Sequence, residues 1–327
     1  MLKIYMLGSG PIAVPVLEKL LEQSRAGLFE LSGVGTQPDR PAGRKRIMMP
    51  TPVGAFAAEK NLAVDKFENL NDGTAQARLE NLDPDFLLVV SYGQLLKKPL
   101  LELPKYGCVN IHASLLPSYR GASPIAQAIL NGDDKTGVCF MDMEIGLDSG
   151  KVYHTIERPL NKSEYADALE IELGAMAAEK TLEILHQIAD GILPGVPQDE
   201  AQVSMTTKIK KSHGAIDWRQ SAAAIEAKVR AYTPWPGAGF VIEQNNEVKS
   251  LTLTKAKIVE NSLQAAAGTV IQADRKKFVI ACGEGALEIL EVVPQGKKAM
   301  SGTNFLNGCR EPLSGKNLLQ VNYHVQS

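Results

Sequence analysis

The feature that most constrains this chain is a repeated alternation, in its first third, of short β-rich apolar runs with stretches of helical periodicity. Residues 3–7, 31–36, 86–90 and 109–111 read as strands, and 12–21 and 53–60 read as helices between them. Strands that alternate with helices pack as βαβ units around a parallel sheet, whose ligands bind beyond the strands' carboxyl ends. A long amphipathic pattern over 166–189 carries Leu169, Leu173, Met176, Leu182, Leu185 and Ile188 at helical spacings and is expected to close this first domain. Gly191, Pro194, Gly195 and Pro197 in a polar setting then supply linker chemistry. Beyond residue 205 the pattern changes to one helix, 222–230, and five short strands at 240–243, 251–259, 269–272, 278–281 and 287–292. Strands so spaced suggest a small barrel or sandwich. The expected division is therefore a first domain over 1–190, a linker over 191–204 and a second domain over 205–327.

Composition narrows the class. The longest apolar runs, such as 86–90, fall far short of the ~20 residues that cross a bilayer. Residues 1–5 read at once as a strand, without the profile of a secretory signal or transit peptide, so a cytoplasmic location is expected. Cys108, Cys139, Cys282 and Cys309 lie far apart with no CxxC pair, which suggests reduced thiols and neither a disulfide framework nor a zinc site. The net charge of -2 hides an asymmetry: residues 205–327 hold 16 Lys and Arg against 10 Asp and Glu, whereas residues 1–204 hold 19 against 27. An acidic first domain joined to a basic second one suits a chain in which only the second grips a polyanion.

Three segments carry chemistry. Gly8-Ser9-Gly10 follows a strand and opens a helix, the setting of a dinucleotide fingerprint, but Ala13 replaces the third glycine and no acidic residue closes the second strand. Two readings are open, a bound phosphate group, as in a nicotinamide-dependent oxidoreductase, and a plain strand-to-helix turn. Asn110 and His112 alternate on one strand, so both point to one face at its carboxyl end. An uncharged amide stabilises a developing oxyanion and an imidazole shuttles a proton near neutral pH, a pair suited to acyl or formyl transfer. The alternative is a polar strand end satisfied by backbone groups. Asp148, between Gly146 and Gly150, is either a turn former or a carboxylate brought beside His112 to orient the ring and favour its charged form.

At these residues the sequence resembles the 10-formyltetrahydrofolate-dependent formyltransferase family. The resemblance rests on Asn110-Ile111-His112, on Ser114-Leu115-Leu116-Pro117, and on Asp148 in its glycine-rich loop. The loop Thr36-Gln37-Pro38-Asp39-Arg40-Pro41-Ala42-Gly43-Arg44 is similar to an insertion found in the branch that formylates methionyl initiator tRNA. Ile216-Asp217-Trp218, residues 230–236 and residues 296–301 extend the likeness through the second domain. After Arg44 the order Lys45-Arg46-Ile47-Met48-Met49-Pro50 departs from the family's usual run, and Ser149 stands where Thr is frequent.

The resemblance implies an α/β chain: an N-terminal Rossmann-like parallel-sheet formyltransferase domain, followed by a basic C-terminal small β-barrel of OB-like form that binds tRNA. It implies that Asn110, His112 and Asp148 are catalytic and that Ser114, Leu115, Leu116 and Pro117 contact the folate. It implies 10-formyltetrahydrofolate as formyl donor, methionyl initiator tRNA as partner, no metal, no membrane and a monomer. Arg40, Arg44, Lys45 and Arg46 would contact the acceptor stem, with Lys208, Lys210, Lys211, Lys297 and Lys298 extending a basic track; the plain alternative is a solvated basic loop. Trp218 and Trp235 are expected to anchor the second domain's core. Rivals of the same fold hydrolyse 10-formyltetrahydrofolate or formylate a nucleotide sugar, and a rival of another class is a non-catalytic RNA-binding protein.

Overall fold

The computed structural model describes residues 1–42, 46–244, 247–309 and 311–320. In chain order the elements are β1 (Lys3–Gly8), α1 (Ala13–Arg25), β2 (Glu30–Thr36), β3 (Arg40–Ala42), β4 (Ile47–Met49), α2 (Pro52–Glu59), β5 (Asp65–Lys66), α3 (Gly73–Leu82), β6 (Phe86–Val90), α4 (Lys98–Leu101), β7 (Cys108–His112) and β8 (Arg120–Gly121). They continue with α5 (Pro124–Asn131), β9 (Lys135–Asp142), β10 (Val152–Pro159), α6 (Ala166–Ala189), β11 (Met205–Thr206), α7 (Ala222–Ala231), β12 (Ala238–Gln244), β13 (Glu247–Val259), β14 (Val270–Ala273), β15 (Phe278–Ala281), β16 (Ala286–Pro294), β17 (Met300–Ser301) and α8 (Gly302–Asn307). The chain divides into two units, the first comprising Met1–Ile125, Lys135–Pro159 and Asp167–Thr207, the second comprising Ala126–Asp134, Leu160–Ala166 and the chain from Lys208 onward.

The first unit is built on a seven-stranded sheet of order β10-β9-β7-β6-β1-β2-β5. β6, Phe-Leu-Leu-Val-Val, is buried along its whole length, as a strand covered on both faces must be. Five strands run parallel, and their order reverses between β1 and β6, which opens a crevice beyond their carboxyl ends. The sheet is not wholly parallel: β9 runs antiparallel to both β7 and β10. One face is lined by Tyr5, Leu7, Leu87, Val89 and Cys108, with Ala75 and Leu79 of α3 packed on it. Because side chains alternate along a strand, Asn110 and His112 continue that face past Cys108, where the apolar cover stops.

α6 lies against the start of α1. A Cβ built on Gly174 would fall 2.4 Å from the Ile12 carbonyl oxygen, so the backbones approach as closely as glycine alone permits. One turn earlier on the same stripe, Glu170 accepts a 3.4 Å hydrogen bond from the Ile12 amide.

In the second unit an antiparallel sheet of order β12-β13-β16-β15-β14, with β17 added beside β16, curls into a half-barrel where sequence suggested a small barrel. α7 contributes Ile225 and Val229 to a core that includes Trp218, Phe240, Leu253, Phe278 and Leu287. Trp218 meets Phe240 edge-on at 5.5 Å between centroids, as expected of a core anchor. Trp235 is not one: it is 57% exposed. Prolines on both sides remove two amide donors, so the segment after α7 runs outside the sheet and nothing aims the indole at the core.

Candidate active site

β7 delivers Asn110 and His112. Asn110 is half-buried and its amide makes no hydrogen bond to another described residue, while His112 is buried with both ring nitrogens facing acceptors. Nε2 lies 2.9 Å from the Tyr119 carbonyl, and Nδ1 lies 3.6 Å from Asp148 Oδ2. Since a carbonyl oxygen only accepts, Nε2 carries a proton, and a second proton on Nδ1 would face the carboxylate. Asp148 adopts a left-handed φ of 50°, a conformation that Asp tolerates better than most residues, and its Oδ2 also accepts from the Gly121 amide at 2.8 Å. The carboxylate is thus fixed from its backbone and from its tip.

The surroundings are clamped by residues that sequence reasoning passed over. Gln198 donates from Nε2 to the carbonyls of Asp148 at 2.8 Å and Gly150 at 2.7 Å, and its Oε1 accepts from Arg120 Nε at 2.9 Å. The buried Arg120 guanidinium also pairs with Glu200 at 2.7 Å, and that hydrogen bond holds the Glu200 carboxyl below its usual range. β8 and β11 pair in parallel beside it. The segment 191–204, expected as a linker, is therefore fastened to the first unit and shapes the loop that carries Asp148. Composition could not reveal this, because Gly and Pro report local freedom and not the partners that remove it. Arg120-Gly121, which follows the Ser-Leu-Leu-Pro run after two intervening residues, was the available signal.

Ser114, Leu115, Leu116 and Pro117 lead away from His112. The Ser114 hydroxyl is fully buried and donates to the Ser118 carbonyl at 2.6 Å, so it shapes the loop and is not available to a ligand. Leu116 and Pro117 line a cleft of about 400 Å³ with Tyr153, Thr155 and Pro197, a cleft to which Asn110, His112 and Asp148 contribute nothing. Exposed apolar side chains stand elsewhere, on the loops after β6 and β9: Leu95 is 75% exposed and Ile145 81%. The first of these loops leaves β6 just beyond Val89, the register neighbour of Asn110.

Gly8 and Gly10 make a turn and no anion cradle. The Gly10 amide donates to the Ser91 carbonyl, the Gln37 amide to Ser9 Oγ, and the Ile12 amide to Glu170. A carboxylate of the chain itself stands where a bound phosphate would be drawn by a helix amino terminus. Burial, more than the neighbouring Asp167, pushes the Glu170 carboxyl above its ordinary range.

The basic residues fall in two places. β3 and β4 pair as a ribbon, on which Arg40 bonds Glu68 at 2.7 Å and Arg46 is exposed; Arg44 and Lys45 lie outside the described residues. In the second unit Lys208, Lys210, Lys211, Lys297 and Lys298 are all exposed. Ala215 bridges Gly239, Gly239 pairs with Thr252, and Thr252 with Val293, so the 208–211 segment and the 297–298 turn leave that row in opposite directions. Among the described residues no group of three or more His, Cys, Asp or Glu could hold a metal ion, and no helix is long and apolar enough to cross a membrane.

A Rossmann-like sheet with an amide and an imidazole at the carboxyl end of β7 and a carboxylate facing that imidazole fits an α/β enzyme of group transfer. The chain belongs to the formyl transferase family: residues 2–184 match formyl transferase and residues 208–310 match the formyl transferase C-terminal domain. Among solved structures it is similar to HypX from Aquifex aeolicus in complex with tetrahydrofolic acid, with a TM-score of 0.64 and 17% identity over 97% of this chain and 48% of HypX. The chain thus spans about half the length of HypX. It is also similar to an N-formyltransferase from Helicobacter canadensis in complex with folinic acid and dTDP-3-aminofucose, with a TM-score of 0.61 and 17% identity over 88% of this chain and 99% of that one. Methionyl-tRNA formyltransferase from Clostridium thermocellum matches with a TM-score of 0.56 and 13% identity over 80% and 95%. At these identities the likeness is one of fold.

Proposed function

We propose that this chain is a methionyl-tRNA formyltransferase, which moves the formyl group of 10-formyltetrahydrofolate onto the amino group of methionyl initiator tRNA in translation initiation. The observation that carries the formyl-transfer step is the convergence of Asn110, His112 and Asp148, with the Asn110 amide left without a partner among the described residues. An unspent amide beside a buried, anchored imidazole suits a carbonyl that gains charge. Leu95 and Ile145 offer exposed apolar surface on loops near the trio, of the kind a flat heterocycle covers.

The donor supplies a formyl carbon open to attack by an amine. As the acceptor amine adds, charge grows on the formyl oxygen; Asn110 donates its amide N–H to that oxygen, and a proton on His112 adds electrostatic support. Asp148, faced by Nδ1 and anchored through Gly121 and Gln198, holds the ring in register. His112 and Asp148 together provide a route for the proton that the amine sheds, which passes to the donor's N10 as the bond from N10 to the formyl carbon breaks and tetrahydrofolate leaves.

The tRNA acceptor is supported by the exposed Arg46 immediately before β4 and by the excess of Lys and Arg over residues 205–327, both suited to a phosphate-rich partner. The test is formyl transfer from labelled 10-formyltetrahydrofolate to methionyl initiator tRNA, with methionyl elongator tRNA and an amino-sugar nucleotide in parallel. Label in the sugar alone, or release of free formate alone, would reassign the acceptor.

A further inference from the structure

We propose that Trp235 is a stacking platform for an unpaired nucleobase of the tRNA acceptor, whose neighbouring phosphates are held by lysines of the 208–211 segment. The inference rests on the reading of the acceptor as a tRNA. It starts from an indole that lies 57% exposed when, among the described residues of the second unit, the other large aromatics are buried or packed against its core. Indole is costly to leave in water and has a face on which any base stacks.

Two further observations point to a nucleic acid as the occupant. First, Gly214 packs on the turn after Trp235: a Cβ added to it would lie 3.3 Å from Pro236 Cγ and 2.2 Å from the Gly237 carbonyl oxygen. The 3₁₀ turn Lys211–Gly214 is therefore held against the Trp235-Pro236-Gly237 segment, and the exposed Lys208, Lys210 and Lys211 lead directly into it. Second, residues 208–237 contain six Lys and Arg but two acids, Asp217 and Glu226. Arg219 bonds Asp217 at 2.8 Å and Arg230 bonds Glu226 at 2.9 Å, so each acid of this stretch is engaged by an arginine and the stretch as a whole stays basic. An exposed aromatic in a basic stretch of chain is the pattern by which single-stranded nucleotides are held, the ring taking a base and the cations its phosphates.

The experiment is equilibrium binding of methionyl initiator tRNA to the full chain, followed by filter retention and by tryptophan fluorescence. Trp235→Ala should weaken binding at least about fivefold, the low end of what loss of one base stack costs, with the KM for 10-formyltetrahydrofolate and the circular dichroism unchanged. Trp235→Phe keeps an aromatic face and should bind within about twofold of the wild type, yet it should lose the tRNA-induced quenching, since the buried Trp218 is then the remaining reporter. Wild-type affinity in Trp235→Ala, or undiminished quenching in Trp235→Phe, would overturn the platform while leaving tRNA formylation standing. Self-association of the wild type that Trp235→Ala abolishes would assign the indole to a protein interface and overturn it too. A wild-type chain that neither binds nor formylates tRNA removes the functional reading and the platform together.

Discussion

Asn110 and His112 differ in how much of their chemistry the fold has already used. The half-buried amide of Asn110 makes no hydrogen bond to a described neighbour, so truncation removes an active donor and no internal hydrogen bond. Asn110→Ala should lower kcat by about 10²–10³ and leave the melting temperature unchanged, which steady-state kinetics and thermal scans would show. Asp148 does two jobs, facing His112 and holding a left-handed turn, and two variants separate them. Asp148→Asn keeps an acceptor for the Gly121 amide and a side chain that tolerates φ of 50°, so it should fold normally while turnover falls at least about tenfold. Asp148→Ala should lose stability as well, because alanine strains that φ. Glu170 gives the pH dependence. Its carboxyl titrates higher folded than unfolded, because burial outweighs the favourable Ile12 amide, so the native state is favoured by protonation at acid pH. That contribution is lost as pH rises from the ordinary carboxylate range through the raised folded value. Glu170→Gln should therefore melt higher than wild type at pH 7, with the gap closing toward pH 4; a gap that widens in acid would reverse the sign.

At the scale of elements, α6 controls how the amino terminus of α1 is filled. Glycine inside a helix costs about 1 kcal/mol relative to alanine, so Gly174→Ala would stabilise α6 in isolation. In place, the added methyl meets backbone of Ile12 that cannot swing aside, and overpacking of this kind costs ~1–3 kcal/mol. The clash should win, and denaturant titration should show Gly174→Ala less stable than wild type. The same helix shows which elements were legible. Its bounds, 166–189, follow from a long stripe of buried Leu, Ile and Ala, and β6 and β15 follow from short runs of continuous apolar residues. α3 was not foreseen because Ala75 and Leu79 are its buried residues, too few to mark a stripe. β10 hid because an edge strand exposes His154, Thr155 and Glu157 and shows no clean alternation. The direction of β9 depends on where the chain between it and β7 returns, which no local period reports.

Across the whole molecule, the proposed function gives the division of charge between residues 1–204 and 205–327 a measurable consequence. A polyanion releases counterions when bound and a small folate releases few, so the KM for tRNA should rise steeply with salt while that for 10-formyltetrahydrofolate stays nearly flat. A tRNA KM indifferent to salt would deny the lysines a part in binding. This asymmetry, the alternation that demands a parallel sheet, and the placing of Asn110 and His112 on one face are properties of the sequence by itself, because each depends on composition or on the geometry of neighbouring residues. Tertiary structure alone decided that Asp148 stands 3.6 Å from His112, that Gln198 and Arg120 lock its loop, that Glu170 fills the turn at Gly10, and that Trp235 faces solvent. Local periodicity tells which way a side chain points; what it meets there is set by loops and packing between segments far apart in the chain.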